Sequence, residues 1–177
     1  MKLNRRISFI ILTVVVIIST IIGFKSLYPA TPNYDDESKT TVTNQMNHIY
    51  EIAKEPHTIF DAEAKGKVRD YLVSQLKNLG LETNIYEYKD FYVEYNDSHV
   101  DLHNIYGELK GKSDSYIMLV AHYDTSGGKR FGQADGSLGA ADDGYGLSTI
   151  LDTLRVINDS GQELENGIKV LFTEGEE

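Results

Sequence analysis

The most apolar part of the chain lies near its beginning. From Ile7 to Phe24 the sequence contains no charged residue and is dominated by Ile and Val. As a helix this segment would span roughly 27 Å, close to the thickness of a bilayer core. This length predicts a membrane span through residues 7–24. By the positive-inside rule, the basic residues before the span predict a cytoplasmic N-terminus and an extracytoplasmic remainder. The alternative is a cleaved signal peptide and a secreted protein. These basic residues are Lys2, Arg5 and Arg6.

The rest of the chain divides into a short polar segment and a patterned domain. Residues 1–25 are the expected cytoplasmic tip and transmembrane anchor. Residues 26–40 contain two prolines and an acidic run, and we expect them to form a linker. Residues 41–177 carry the regular apolar spacing of one folded domain.

Two amphipathic helices are predicted at the start of this domain. Apolar residues at spacings of three and four predict the first helix from Val42 to about Lys54. The second helix has Asp61 as its N-cap and Gly80 as a left-handed residue at its C-terminal end. Its apolar stripe consists of Val68, Leu72, Leu76 and Leu79.

After the second helix the pattern changes to that of strands. Strand-like runs lie at residues 83–88 and 104–109, and continuous apolar runs lie at 116–121 and 168–172. The continuous runs predict strands that are buried on both faces. Helical spacing at 147–157 separates the last two strands. The order strand, helix, strand predicts a right-handed parallel crossover in an α/β sheet.

Composition limits the chemistry that this domain can perform. The 177 residues include 17 Lys and Arg against 27 Asp and Glu, a formal net charge of −10. Nucleic acid is therefore not an expected partner. The chain contains no cysteine, which excludes disulfides, thiolate zinc sites and a cysteine nucleophile. Any strong metal ligands must be His, Asp or Glu.

One histidine and several carboxylates follow the two continuous apolar runs. His122 and Asp124 come directly after the first run, and Glu176 and Glu177 come shortly after the second. Ligands of open α/β sheets bind at the carboxyl ends of the strands, so we expect these side chains at one sheet edge. One carboxylate of the glutamate pair can ligate a metal while its neighbour serves as a base.

A second acidic pair lies in the connection between these strands. Asp142 and Asp143 stand before the predicted helix and are followed by glycines at positions 144 and 146. An N-cap at Asp143 would explain the pair without any metal. We expect Asp142 to lie at the same sheet edge as His122 and the glutamate pair. This arrangement favours metal binding as the function of Asp142.

These motifs together resemble a known family. The order His-x-Asp at 122–124, Gly-Ala-x-Asp-Asp-Gly at 139–144 and Glu-Glu at 176–177 is similar to that of the di-zinc aminopeptidases of metallopeptidase family 28. The anchor makes the chain most similar to membrane-anchored members of the endoplasmic reticulum metallopeptidase type. The resemblance implies a partial three-layer αβα sandwich of the zinc-exopeptidase type, with a mostly parallel mixed sheet, preceded by one transmembrane helix.

The resemblance also implies a role for each site residue. His122 would ligate one zinc ion, Glu177 would ligate a second, and Asp142 would bridge the two. Glu176 would be the general base, and Asp124 would orient His122. The implied reaction is hydrolysis of the N-terminal peptide bond of a peptide substrate.

Family members typically have a cis peptide bond after the bridging aspartate, which here would join Asp142 and Asp143. They also continue well past the Glu-Glu pair, where a further carboxylate and a further histidine complete the zinc ligands. Residues 41–177 are therefore expected to be the N-terminal part of a truncated catalytic domain, and the chain to be a fragment.

Two other functions remain open. Related zinc amidohydrolases and carboxypeptidases share these ligands but usually place the bridging aspartate in Arg-Gly-x-x-Asp-Met-Lys-Gly, which differs from residues 138–144. A non-catalytic, membrane-anchored binding remnant would keep the fold without metals. The sequence indicates no oligomeric state.

Overall fold

The computed structural model describes four stretches of the chain: residues 5–27, 35–94, 97–127 and 136–177. Residues 1–4 of the predicted tip and anchor (1–25) and residues 28–34 of the predicted linker (26–40) lie outside these stretches. Residues 1–35 and 36–177 are separate compact units. All the candidate site residues fall in the second unit.

Eight helices and strands are described in these stretches. The helices are α1 (Arg5–Leu27), α2 (Asp36–Ile52), α3 (Ala62–Asn78) and α4 (Gly144–Ser160). The strands are β1 (Glu82–Val93), β2 (Ser98–Leu109), β3 (Tyr116–His122) and β4 (Gly167–Thr173).

Helix α1 contains a segment long and apolar enough to cross a membrane. This segment runs from Arg6 to Lys25, and its mean hydropathy is 2.8. A signal sequence near an N-terminus can also be this long and this apolar. The choice between a retained anchor and a cleaved signal, and the orientation of the segment, therefore stay predictions.

Helix α2 begins earlier than its apolar spacing predicts. Residues 36–40, expected in the linker, form its first turns, and the helix ends at Ile52. Asp36 and Glu37 in the first turn interact favourably with the positive end of the helix dipole. Lys39 pairs with Asp36 across 3.3 Å. Local electrostatics thus extend the helix beyond its apolar stripe.

The second predicted helix is confirmed as α3. Asp61 is its N-cap and accepts the N–H of Ala64 at 2.9 Å. Gly80 follows the helix with a φ of 82°, in the left-handed region that glycine enters without strain. Both ends of α3 are therefore set by the residues that the sequence indicates.

The four strands form one mixed sheet in the order β1-β2-β4-β3. β3 and β4 pair in parallel with α4 as their connection, which confirms the predicted parallel pairing and the α/β class. The β1–β2 and β2–β4 pairings are antiparallel, so the pairing among the described strands is mostly antiparallel. Only four residues separate β1 from β2, too few for a parallel crossover.

The core lies on one face of this sheet. Ile105, Val170 and Phe172 pack there against apolar residues of α2, α3 and α4. On the other face of β3, Met118 and Val120 are 52% and 55% exposed. The prediction that this strand is buried on both faces is wrong for the described residues, because β3 is an edge strand of the described sheet and the described helices cover the opposite face.

Candidate active site

His122 is the last residue of β3, and its ring is oriented by the backbone. The ring Nδ1 lies 3.1 Å from the main-chain carbonyl oxygen of Asp124. This acceptor favours a proton on Nδ1 and leaves Nε2 directed outward as the nitrogen that could bind a metal. Nε2 lies 3.0 Å from Asp142 Oδ1 and 4.0 Å from Glu176 Oε2.

Nearby carboxylates control the protonation of His122. The Asp124 carboxylate is the largest influence, and together with Asp142 it outweighs burial and raises the pKa of His122 to about 9. Without a metal, the ring therefore carries a proton at neutral pH. The site has the negative potential that attracts a cation.

Asp124 holds the loop that follows β4. Its side chain is buried, and its two carboxylate oxygens accept the N–H groups of Glu176 at 3.3 Å and Glu177 at 3.4 Å. Burial by itself would raise the pKa of Asp124, but His122 and these N–H groups stabilise the carboxylate and lower it. The carboxylate lies 3.7 Å from His122 Nδ1, so the direct hydrogen bond to the ring is made by the Asp124 carbonyl.

The two aspartates before α4 have different positions. Asp143 is the N-cap of α4 and accepts the N–H of Gly146 at 3.0 Å. The peptide bond between Asp142 and Asp143 is cis, and the mostly exposed Asp142 carboxylate faces His122. A Cβ on Gly144 would lie 2.6 Å from the carbonyl oxygen of Gly139, so this turn requires glycine. The turn thus directs the Asp143 carboxylate to the start of α4 and the Asp142 carboxylate to His122.

Glu176 and Glu177 follow a turn at Gly175, whose φ is 91°. The Glu176 side chain is 62% exposed and faces His122. Glu177 is attached to the site through its main-chain N–H. The structure thus brings His122, Asp142 and Glu176 to one point at the carboxyl ends of β3 and β4, with Asp124 beneath them.

The geometry of His122 and Asp142 fits a shared zinc ion. Two ligands on one tetrahedral zinc lie about 3.3 Å apart when each bond is about 2.0–2.1 Å. The observed separation of Nε2 and Oδ1 is 3.0 Å, and imidazole with carboxylate is a common zinc donor set. Across the described stretches, no group of three or more candidate ligands is already assembled. The residues present therefore fit part of a zinc site.

Two buried charges of this domain are not among the residues that the sequence motifs indicate. Lys65 lies three residues before Val68, on the apolar face of α3, and is itself buried. Glu174 lies two residues after Phe172, a period that directs both side chains to the core face. A lysine and a glutamate at core positions of two packed elements are a signal for a buried ion pair.

Comparison with known families identifies the part of the chain that forms this site. Residues 104–177 match the family model described as Peptidase family M28. This part of the chain is therefore similar to peptidase family M28. The matched segment includes the second half of β2, the whole of β3, α4 and β4, and every predicted site residue.

A curated relative extends the likeness beyond this segment. Carboxypeptidase G2 from Pseudomonas sp. (strain RS-16) is 30% identical over 131 residues, which cover 66% of this chain and 28% of the relative. The chain thus spans less than a third of the length of this relative.

Solved structures of similar fold include enzymes with different activities. A glutaminyl cyclase from Bacteroides thetaiotaomicron is 23% identical with a TM-score of 0.62, over 84% of this chain and 49% of that chain. A leucine aminopeptidase precursor from the same species is 25% identical with a TM-score of 0.61 and the same coverage. A Zn-dependent exopeptidase from Parabacteroides distasonis is 24% identical with a TM-score of 0.62, over 83% and 49%. The fold is thus shared with these proteins, and the chain spans about half of each structure.

Proposed function

We propose that this chain is the N-terminal part of a zinc-dependent aminopeptidase of family M28. The observation that carries the proposal is the meeting of His122 Nε2, Asp142 Oδ1 and Glu176 Oε2 at the carboxyl ends of β3 and β4. His122 and Asp142 would hold one zinc ion, and Asp142 with Glu177 would contribute to a second. Zinc, when bound, supplies a Lewis acid that polarises a carbonyl and acidifies a water molecule.

The residues of this chain then have separate tasks. Glu176 has an exposed carboxylate beside the ligands, so it can take a proton from the attacking water and deliver it to the leaving amine. Asp124 keeps Glu176 in place through the loop N–H groups. The carboxylates around the site also favour a substrate whose α-amino group is free and positively charged. The leucine aminopeptidase precursor among the similar structures supports this choice of substrate.

An assay of the full-length protein tests the proposal. We expect release of the N-terminal residue from peptides with a free amine, loss of activity with a chelator, and recovery with zinc. Glu176→Gln should abolish turnover, because the amide cannot accept the proton, whereas Glu82→Gln on the exposed surface of β1 should not.

Each other outcome assigns a different function. Activity on N-terminally blocked peptides alone would indicate an amidohydrolase or carboxypeptidase, and cyclisation of N-terminal glutamine without hydrolysis would indicate a glutaminyl cyclase. A biological effect that survives Glu176→Gln would indicate a non-catalytic binding protein. Any of these results would overturn the aminopeptidase proposal.

We further propose that residues 7–24 anchor the protein in a membrane, with the catalytic part outside the cytoplasm. The apolar helix and the basic residues before it support this location. The protein should remain in the membrane fraction after an alkaline wash, and protease added outside the cell should digest the domain. Release of a shortened soluble form would instead indicate a cleaved signal peptide.

A further inference from the structure

A buried ion pair lies directly behind the candidate active site. Lys65 of α3 and Glu174, the first residue after β4, have side chains only 5% and 0% exposed, and Nζ lies 2.7 Å from Oε1. Removing two charges from water is costly, and a well-packed apolar pair is often equally stable in such a place. The presence of charges here therefore requires a reason other than packing.

Glu174 links three parts of the domain. Its Oε2 accepts the N–H of His103 in β2 at 2.5 Å and the hydroxyl of Tyr123, just after β3, at 3.2 Å. Its own N–H donates to Asn104 Oδ1 at 3.1 Å. With Lys65 on its other oxygen, the carboxylate is fixed from α3, from β2 and from the segment that follows β3.

The loop after β4 is consequently held at both ends. Its first residue, Glu174, is fixed inward by Lys65. Gly175 then turns the chain with a φ of 91°. At the far end, the N–H groups of Glu176 and the next residue donate to the Asp124 carboxylate at 3.3 and 3.4 Å. Movement of either end would displace the carboxylates that the loop carries.

We propose that Lys65 is a positioning residue: through its ion pair with Glu174, it fixes the loop that carries Glu176 and Glu177 against His122. The effect on catalysis rests on the proposed peptidase function. The effect on the loop does not depend on that function and can be measured separately.

Three variants of the full-length protein test this inference. Lys65→Met removes the charge and keeps most of the side-chain volume, which leaves Glu174 buried without its cation. The double variant Lys65→Met with Glu174→Leu replaces the pair by apolar side chains. Lys67→Met is the matched control, because Lys67 lies on the same helix but is 58% exposed and pairs only with exposed glutamates.

The measurements are kcat and KM on a free-amine peptide, thermal stability, and hydrogen exchange of the peptide that contains residues 174–177. We expect Lys65→Met to lower kcat by about 10–100-fold, with KM within about twofold, and to speed exchange in this peptide. The double variant should recover part of the lost thermal stability, because no buried charge is left unpaired, but it should not recover kcat, because its loop has lost the hydrogen bonds of the Glu174 carboxylate. Lys67→Met should resemble wild type in all three.

Two results would overturn the inference. Recovery of kcat together with stability in the double variant would show that the pair serves only packing. Unchanged kcat and unchanged exchange in Lys65→Met would show that the pair does not hold the loop. If wild-type protein hydrolyses no peptide, the proposed function fails, and the exchange of residues 174–177 alone decides the role of Lys65.

Discussion

Replacement of Asp124 by asparagine isolates the interaction that holds the loop after β4. The carboxylate has two oxygens, and they accept the N–H groups of Glu176 and Glu177. Asparagine keeps the size of the side chain but has one oxygen, so its amide group would face one of the two N–H donors. One charge-assisted hydrogen bond is lost, and one buried donor is left opposite another donor.

The expected loss of stability follows from these contacts. Hydrogen bonds to charged groups contribute about 1.5–3 kcal/mol, and the long separations favour the lower end, so we expect a loss of about 2 kcal/mol. For a domain of this size roughly 3 °C is lost per kcal/mol, which gives a fall of about 6 °C in Tm. Turnover should fall about 10–100-fold, because Glu176 is no longer fixed.

The assay is a thermal melt and a peptidase assay of Asp124→Asn beside Asp70→Asn, a change on the exposed surface of α3. Above pH 9, where proton competition at His122 is weak, zinc affinity should change little, because the Asp124 carbonyl keeps its hydrogen bond to the ring. Unchanged Tm and turnover would refute the reasoning. Loss of zinc binding at unchanged Tm would show that the carboxylate orients the ring and not the loop.

Three further predictions concern the site and its turn. Since neighbouring carboxylates raise the pKa of His122 to about 9, protons compete with zinc for this side chain below that pH. Chelator competition should therefore show the zinc affinity falling up to about tenfold per pH unit from pH 9 to 7. A zinc affinity that does not change with pH would contradict this prediction. Asp143→Ala should lower the free energy of unfolding by about 1 kcal/mol in denaturant titrations, because α4 loses its N-cap. Asp143→Ser should recover much of this loss, because serine can also cap a helix. Equal stability of the two variants would exclude a capping role. Gly144→Ala should lower both Tm and zinc affinity, because the new Cβ would collide with the Gly139 carbonyl oxygen. Gly66→Ala in α3 has space for its Cβ and should lower neither. A Gly144→Ala variant with wild-type Tm and zinc affinity would disprove this steric conflict.

The features that the sequence predicts well depend on local pattern. Asp61 and Asp143 cap helices because a short carboxylate before a helix accepts N–H groups of its first turn. Two apolar runs become adjacent parallel strands because the helix between them requires a crossover. Since both strands end at the same edge, the sequence also predicts that His122 and Glu176 lie close together.

The features that the sequence does not predict depend on the environment of each residue. Met118 and Val120 have the composition of buried strand residues, but burial depends on what covers the sheet. Lys65 has the charge of a surface residue, and only the packing of α3 against the loop after β4 shows that it is buried. Asp124 adjoins His122 in sequence, yet its carboxylate binds N–H groups more than fifty residues away.

The central claim is that His122 and Asp142 ligate zinc at the carboxyl ends of β3 and β4. Titration of the full-length protein with zinc, followed by competition with a chelator, tests it most directly. We predict that His122→Gln and Asp142→Asn each weaken zinc binding by about 100-fold or more, while His99→Gln on the exposed surface leaves it unchanged. Equal zinc affinity in wild type, His122→Gln and Asp142→Asn would contradict the claim.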